Sequence, residues 1–215
     1  MKNTESFVVA VDGEAASGKG TLCKKLAERF DLFYCQTSIF YRKLARLAID
    51  DSINKLEDLL DVAKSVERLE KVDTASIYAE EVGTKASEIA SIPKVREALN
   101  IPQKDLLKIH SRIIMEGRDI GTVIAPKADV KLYITANIDV RAERRFKERV
   151  SKEEGLTLEK VKEDLIERDR RDKERKDAPL AIAKDAIILD SSNLNAEEFL
   201  NLAINEINKK VGKWK

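Results

Sequence analysis

Phe7-Val8-Val9-Ala10-Val11-Asp12-Gly13-Glu14-Ala15-Ala16-Ser17-Gly18-Lys19-Gly20-Thr21 is an apolar run that ends in GxxxxGK and passes straight into a helical pattern. A strand, a glycine-bounded loop and a helix in that order form the cradle that holds a nucleotide polyphosphate. Gly13 and Gly18 let successive backbone N–H groups turn toward one anion, an approach that a side chain or a restricted φ obstructs. The nucleotide-binding set is therefore Gly13, Glu14, Ala15, Ala16, Ser17, Gly18, Lys19, Gly20 and Thr21. Lys19 supplies a mobile point charge for the β- and γ-phosphates. Thr21 can offer its hydroxyl to phosphate or Mg²⁺, and the helix behind it turns its positive dipole end toward the same site.

Outward from this loop, five short apolar runs are expected as strands: 7–11, 32–35, 112–115, 130–135 and 186–189. Strands apolar on both faces and separated by helical patterns predict an α/β fold with a parallel sheet covered on both sides. The first helix, over 20–30, places Leu22, Cys23, Leu26, Ala27 and Phe30 on one face, so Cys23 is read as core. Residues 43–110 read as several helices interrupted at Pro93 and Pro102, too long for a simple crossover, and are expected to form a helical flap beside the sheet. From 140 to 177 the sequence is helical and charged, with a break around Gly155 that suits the tip of a closing lid.

The chain of 215 residues is long enough for one substantial core and is read as a single domain with inserts. Forty basic residues against 39 acidic ones leave a net charge of +1, so no global field holds nucleic acid or an anionic membrane. Anion binding must be local. Cys23 and Cys35 are the only cysteines and show no metal-ligand spacing, which fits a reduced, cytoplasmic setting. No stretch has the length and apolarity of a transmembrane span. His110 lacks neighbours that would make a triad, and Trp214, in a Lys-rich tail, is expected at the surface.

The third strand runs into Glu116-Gly117-Arg118-Asp119, a turn at the carboxyl end of the sheet and hence in the crevice that the glycine loop occupies. Glu116 can act on Mg²⁺ through water, Arg118 can hold a phosphate, and Asp119 can accept a hydrogen bond from a base amino group. Arg168, Arg171, Asp172 and Arg175 follow i, i+3, i+4, i+7 spacing and share a helix face, which suits a transferring phosphoryl group. Glu167, Asp169, Arg170, Lys173, Glu174, Lys176 and Asp177 are expected to form the solvated side of that helix. Arg141, Arg144, Arg145 and Arg149 make a second basic stripe, from which Arg145 is expected to reach ATP.

On these residues the sequence resembles the bacterial cytidylate kinases, a nucleoside monophosphate kinase family, over nearly its whole length. The resemblance rests on DGEAASGKGTLCKKLAE at 12–28, Tyr41-Arg42, PKVREAL at 93–99, EGRDIGTVIAP at 116–126, ERDRRDKERKDAPL at 167–180 and LDSS at 189–192. It implies a P-loop kinase core with a five-stranded parallel sheet, a monophosphate-binding insert at about 43–110 and a lid at about 146–168. The implied reaction is ATP + CMP or dCMP → ADP + CDP or dCDP with Mg²⁺; the alternatives are another small-acceptor P-loop kinase, acting on UMP or AMP, and a non-catalytic nucleotide-binding switch protein. The chain is expected to be a monomer that binds neither nucleic acid nor membrane. Carried over by position, Ser87, Arg96 and Asp119 face the cytosine, Arg168 and Asp172 the sugar, and Thr37, Arg42, Arg118 and Arg175 the acceptor phosphate. Lys19, Arg118, Arg171 and Arg175 are the implied catalytic set, with Thr21 and Glu116 toward the metal. Several positions depart from the family pattern. Gln36 and Ser38 flank Thr37 in place of Asp and Gly, and Glu116 replaces Asp. Glu14-Ala15-Ala16 replaces a Pro- and Gly-containing turn. Residues 64–86 are short and helical where relatives carry a β insertion, and 100–104 interrupts a helix that is usually continuous.

Overall fold

In a computed structural model, which describes residues 5–151 and 153–212, the five apolar runs become strands β1 (Phe7–Gly13), β2 (Phe33–Gln36), β3 (Arg112–Glu116), β4 (Val130–Thr135) and β5 (Ile187–Asp190). Trp214 lies outside the described residues. All five strands pair in parallel, in the order β2-β3-β1-β4-β5. β1 is central, which explains why it is apolar on both faces. Phe7, Val9 and Val11 pack into one layer with Leu22 and Leu26, whereas Ala10 packs into the other with Ile113 and Met115. After β3 the chain crosses β1 to reach β4, so the glycine loop leaves β1 at a reversal of strand order, where open α/β sheets place their ligands.

The helices are α1 (Lys19–Phe30), α2 (Ser38–Asp50), α3 (Leu56–Lys64), α4 (Val66–Glu70), α5 (Glu80–Ile89), α6 (Pro93–Ile109), α7 (Ile138–Arg149), α8 (Leu158–Glu174) and α9 (Ala196–Val211). α1 and α9 cover one face of the sheet, with Ala203 and Ile207 of α9 joining Leu22 and Leu26 in a common cluster. Helices α2 to α6 build a separate cluster around Leu44, Leu59, Ile77, Val82, Val95 and Leu99. The insert between β2 and β3 therefore has an apolar core of its own, and it starts at Ser38 rather than 43.

Of the two interruptions expected at prolines, the one at Pro93 is observed, between α5 and α6, and the one at Pro102 is corrected. Pro93 opens α6 at its first turn, where the missing N–H costs nothing. Pro102 lies inside the same helix without ending it. A proline there disturbs the hydrogen bonds of the preceding turn, and the buried Gln103 side chain donates from Nε2 to Leu99 O at 2.9 Å within that turn. The break near Gly155 does separate two helices, α7 and α8, and Gly155 has φ 72°.

Gln103→Met keeps the volume but leaves the Leu99 carbonyl without this donor. It is expected to lower stability by about 1–3 kcal/mol, or several degrees in Tm for a chain of this size. Thermal unfolding checks it; an unchanged Tm removes the strut role of Gln103.

Candidate active site

The sheet register sets the stage. Glu116 of β3 lies opposite Val11 of β1 and Gln36 of β2, while Gly13 lies opposite Ile134 of β4. The loop, the Glu116 turn and the residues after β2 thus emerge side by side at one end of the sheet. Gly13 adopts φ 144°, and a Cβ there would overlap Ile134 O; Gly18 adopts φ 86°. Ala16 takes φ 56° with a methyl group present, a strain of roughly 1–2 kcal/mol that glycine would avoid.

Lys19 curls back into the loop, donating to Gly13 O at 2.8 Å and to Glu14 O, with Ser17 Oγ at 3.3 Å. Burial, followed by the nearby Arg118 charge, pushes its pKa down to about 7. Asp12 fixes the turn after β3. Its carboxylate accepts from Ile120 N at 2.8 Å and Gly121 N at 2.7 Å, at the start of a single π-helical turn, Ile120–Ile124. Burial raises the Asp12 pKa to about 6, against the opposing pull of these two N–H groups.

Anchored in this way, Arg118 and Asp119 project into a cavity of about 790 Å³ that also receives Ala15 to Thr21. Arg118 Nε donates to Asp172 of α8 at 2.8 Å. Arg96 of α6, 1% exposed, donates to Asp119, and its Nε lies 3.7 Å from Asp177. Arg175 approaches Asp119 at 3.6 Å and Asp172 at 3.8 Å. Burial and the Arg118 charge lower Arg168 to about 10. Despite its own burial, Asp172 is held below the usual carboxylate range by Arg118 and Arg168. Ser87 Oγ, Arg96 Nε, Arg168 Nε and Arg175 Nη2 are buried without a hydrogen-bond partner. Such concentrated unmet capacity on one wall points to a polar ligand.

Glu116 is held by Tyr34, whose hydroxyl donates to Oε1 at 2.9 Å, and Oε2 is buried without a partner. Gly20 packs beside this carboxylate: a Cβ there would stand 3.5 Å from Oε1, an ordinary van der Waals contact. Among the described residues no group of three or more His, Cys, Asp or Glu forms a metal cage. One carboxylate oxygen without a hydrogen-bond partner, in the cavity that Thr21 also lines, still fits Mg²⁺, which commonly takes one or two carboxylates and completes its shell with phosphates and water.

The cytidylate kinase family model matches residues 9–209. The chain belongs to the cytidylate kinase family. It is 45% identical over 208 residues to the cytidylate kinase of Rickettsia akari (strain Hartford), covering 96% of this chain and 94% of that protein. To the cytidylate kinase of Rickettsia bellii (strain OSU 85-389) it is 46% identical over 192 residues, covering 89% and 88%. The fold is shared more widely. A shikimate kinase from Bacteroides thetaiotaomicron superposes with TM-score 0.55 at 11% identity, over 96% of this chain and 99% of that one. A gluconokinase from Sinorhizobium meliloti 1021 gives TM-score 0.51 at 10% identity, over 96% and 94%.

For this cytidylate kinase family member, the cavity collects most residues singled out from sequence. Lys19, Gly20, Thr21, Glu116, Arg118 and Arg145 line it, and so do Thr37, Arg42, Ser87, Arg96 and Asp119. Arg168, Asp172 and Arg175 complete the set. Arg175, however, lies just past the end of α8 in extended backbone, so a chain turn rather than a helical stripe brings it in. Arg171 does not line this cavity: it lines an adjoining one of about 260 Å³, which shares Ser87 and Arg168 with the first, and its Nε is 3.8 Å from Glu167.

Gly13 and Glu14 do not line the main cavity. Glu14 points behind the loop, accepting from Thr135 Oγ1 at 2.9 Å and Lys173 Nζ at 2.8 Å. Asp169, expected on a solvated face, is buried against Arg141 at 2.5 Å, and Arg141 also donates to Ala15 O at 3.2 Å. Asp177 reaches Arg96 as described, and Lys173 reaches Glu14. Sequence reading missed Asp12, Tyr34 and Asp169. Only Asp12 carried a signal, as an ionisable residue ending an otherwise apolar strand.

Polyphosphate binding favours a charged Lys19, whose pKa near 7 leaves it mostly neutral in the free protein at pH 8. Nucleotide binding at pH 8 should therefore take up roughly 0.9 proton, and affinity should fall as pH rises above 7. Calorimetry in buffers of different ionisation enthalpy reads the uptake, and Lys19→Met should abolish it. Equal heats in all buffers would contradict this protonation.

Proposed function

We propose that this protein is a cytidylate kinase that transfers the γ-phosphoryl group of ATP to CMP or dCMP. The observation that carries the reading is one cavity with two recognition ends: the glycine loop with Lys19, and the Asp119, Arg96 and Ser87 group ringed by Arg118, Arg168 and Arg175. The donor polyphosphate belongs to the first and the monophosphate to the second.

Cytosine presents an N4 amino donor beside ring acceptors. An ionised Asp119 accepts from that amino group, while Arg96 and Ser87, both with unmet donors, serve the ring acceptors. Uracil turns O4 toward the carboxylate instead and opposes two acceptors. Arg168 and Asp172 are assigned to the sugar, and Thr37, Arg42, Arg118 and Arg175 to the acceptor phosphate. That phosphate needs no general base, because its second pKa near ~6 leaves it largely dianionic at neutral pH.

Catalysis is alignment and charge neutralisation. Lys19 moves from the loop carbonyls to the transferring phosphate, and Arg118 and Arg175 meet the charge that spreads over the equatorial oxygens. Thr21 and Glu116 would hold Mg²⁺, which supplies further charge neutralisation on the polyphosphate. The helical segment on either side of Gly155 is assigned as the lid, with Arg145 and Arg144 on the donor side.

ATP-dependent phosphorylation of CMP, dCMP, UMP, AMP, shikimate and gluconate tests the reading. CMP or dCMP should be strongly preferred, and preference for another acceptor would overturn it. Asp119→Asn should shrink the CMP-to-UMP ratio of kcat/KM by about 5- to 150-fold, the equivalent of roughly 1–3 kcal/mol. An unchanged ratio would remove Asp119 from base recognition.

A further inference from the structure

The short helical stretch of the insert builds a seat for Arg42. Arg42 projects from α2, is buried, and donates from Nη1 to Ile77 O at 2.7 Å. Ile77 is fully buried in the insert core beside Val82 and Leu44, so its carbonyl is a fixed point. The Tyr78 ring stands 5.9 Å from the guanidinium carbon and lines the main cavity. The remaining side of the guanidinium faces Gly83 of α5. A Cβ on Gly83 would lie 3.0 Å from Nη2 and 3.4 Å from Nη1, closer than ordinary van der Waals contact.

Gly83 is not required by backbone geometry. It sits inside α5, outside the positive-φ positions, where alanine favours the helix more. What the glycine provides is space, and the group that fills this space is the Arg42 guanidinium. Arg42 cannot retreat freely, because the Ile77 O hydrogen bond holds one side; of the charges around it, Arg145 and Arg118 oppose its own and Glu80 attracts it.

We propose that Gly83 is a positioning residue for the acceptor phosphate: its missing side chain seats the Arg42 guanidinium between Ile77 O and Tyr78, at the point where the monophosphate is bound. The proposal rests on the kinase reading and deepens it, since it places acceptor affinity in the insert helix α5. A displaced Arg42 weakens the hold on the monophosphate while leaving the glycine loop and its polyphosphate untouched.

Steady-state kinetics of Gly83→Ala and Gly83→Val, with Arg42→Met alone and combined with Gly83→Ala, test it. Gly83→Ala should raise KM for CMP about threefold to tenfold, and the bulkier Gly83→Val more than tenfold, since small misplacements of a positioning group are costly. KM for ATP should stay within about twofold, and Gly83→Ala should not lower Tm. In the Arg42→Met background, Gly83→Ala should change kcat/KM for CMP no further, because the two residues act as a unit. An unchanged KM for CMP in folded Gly83 variants, an equal rise for ATP, or the same effect without Arg42 would each overturn the proposal. Wild-type turnover on the acceptor panel reads the kinase assignment separately.

Discussion

Among the described residues nine cationic side chains line one cavity, and for six of them, Lys19, Arg42, Arg96, Arg118, Arg168 and Arg175, like-charge repulsion is the constraint that the surrounding structure answers. Burial and like charges depress Lys19, Arg42, Arg168 and Arg175. Arg96 and Arg118 escape this: Tyr41 and the buried Asp119 carboxylate hold Arg96 up, and the buried Asp172 carboxylate holds Arg118 up. Counter-charges inside the protein are only partial. The remaining positive field matches what two phosphorylated ligands bring, and preorganised charge of this kind stabilises a transferring phosphoryl group without reorganisation at the moment of reaction.

Holding such a field requires rigid supports, and they lie behind the cavity. Asp12 pins the π-helical turn after β3 through two backbone N–H groups, which aims Arg118 and Asp119 inward. Arg141 and Asp169 clamp the Ala15 backbone from α7 and α8. Glu14 has a place in the same scaffold: with Thr135 and Lys173 it ties the glycine loop to β4 and α8. The unusual Glu14-Ala15-Ala16 turn thus exchanges loop flexibility for a polar strut, at the cost of a left-handed alanine at position 16.

The insert adds a different kind of support. Its apolar cluster is distinct from those flanking the sheet, so α2, α5 and α6 deliver Arg42, Ser87 and Arg96 as members of one packed body. Glu80, in the first turn of α5, also pairs with Arg145 of α7 at 2.6 Å, so the insert is joined to α7 by an ion pair.

The glycine loop, the five strands and the Glu116 to Asp119 turn were legible in sequence, because each is a local pattern: short runs apolar on both faces, glycine at fixed spacing, a charged turn after an apolar run. Local pattern also placed α1 within one residue of its observed start. It failed where one residue's role depends on a partner far along the chain. Pro102 looked like a helix end, yet α6 runs through it, with the Gln103 side chain bonded to Leu99 O in the same turn. Asp169 and Lys173 looked like solvated charges in a charged helix, and only the approach of α8 to the loop turned them toward Arg141 and Glu14. Arg171 shared its helical spacing with Arg168, yet of the two only Arg168 lines the main cavity, while both line the smaller one beside it. The sequence by itself determined the chemistry available, a polyphosphate cradle and an excess of guanidinium groups. Tertiary structure alone decided which of those charges face the cavity, because burial and pairing are set by packing between segments that the sequence does not place next to one another.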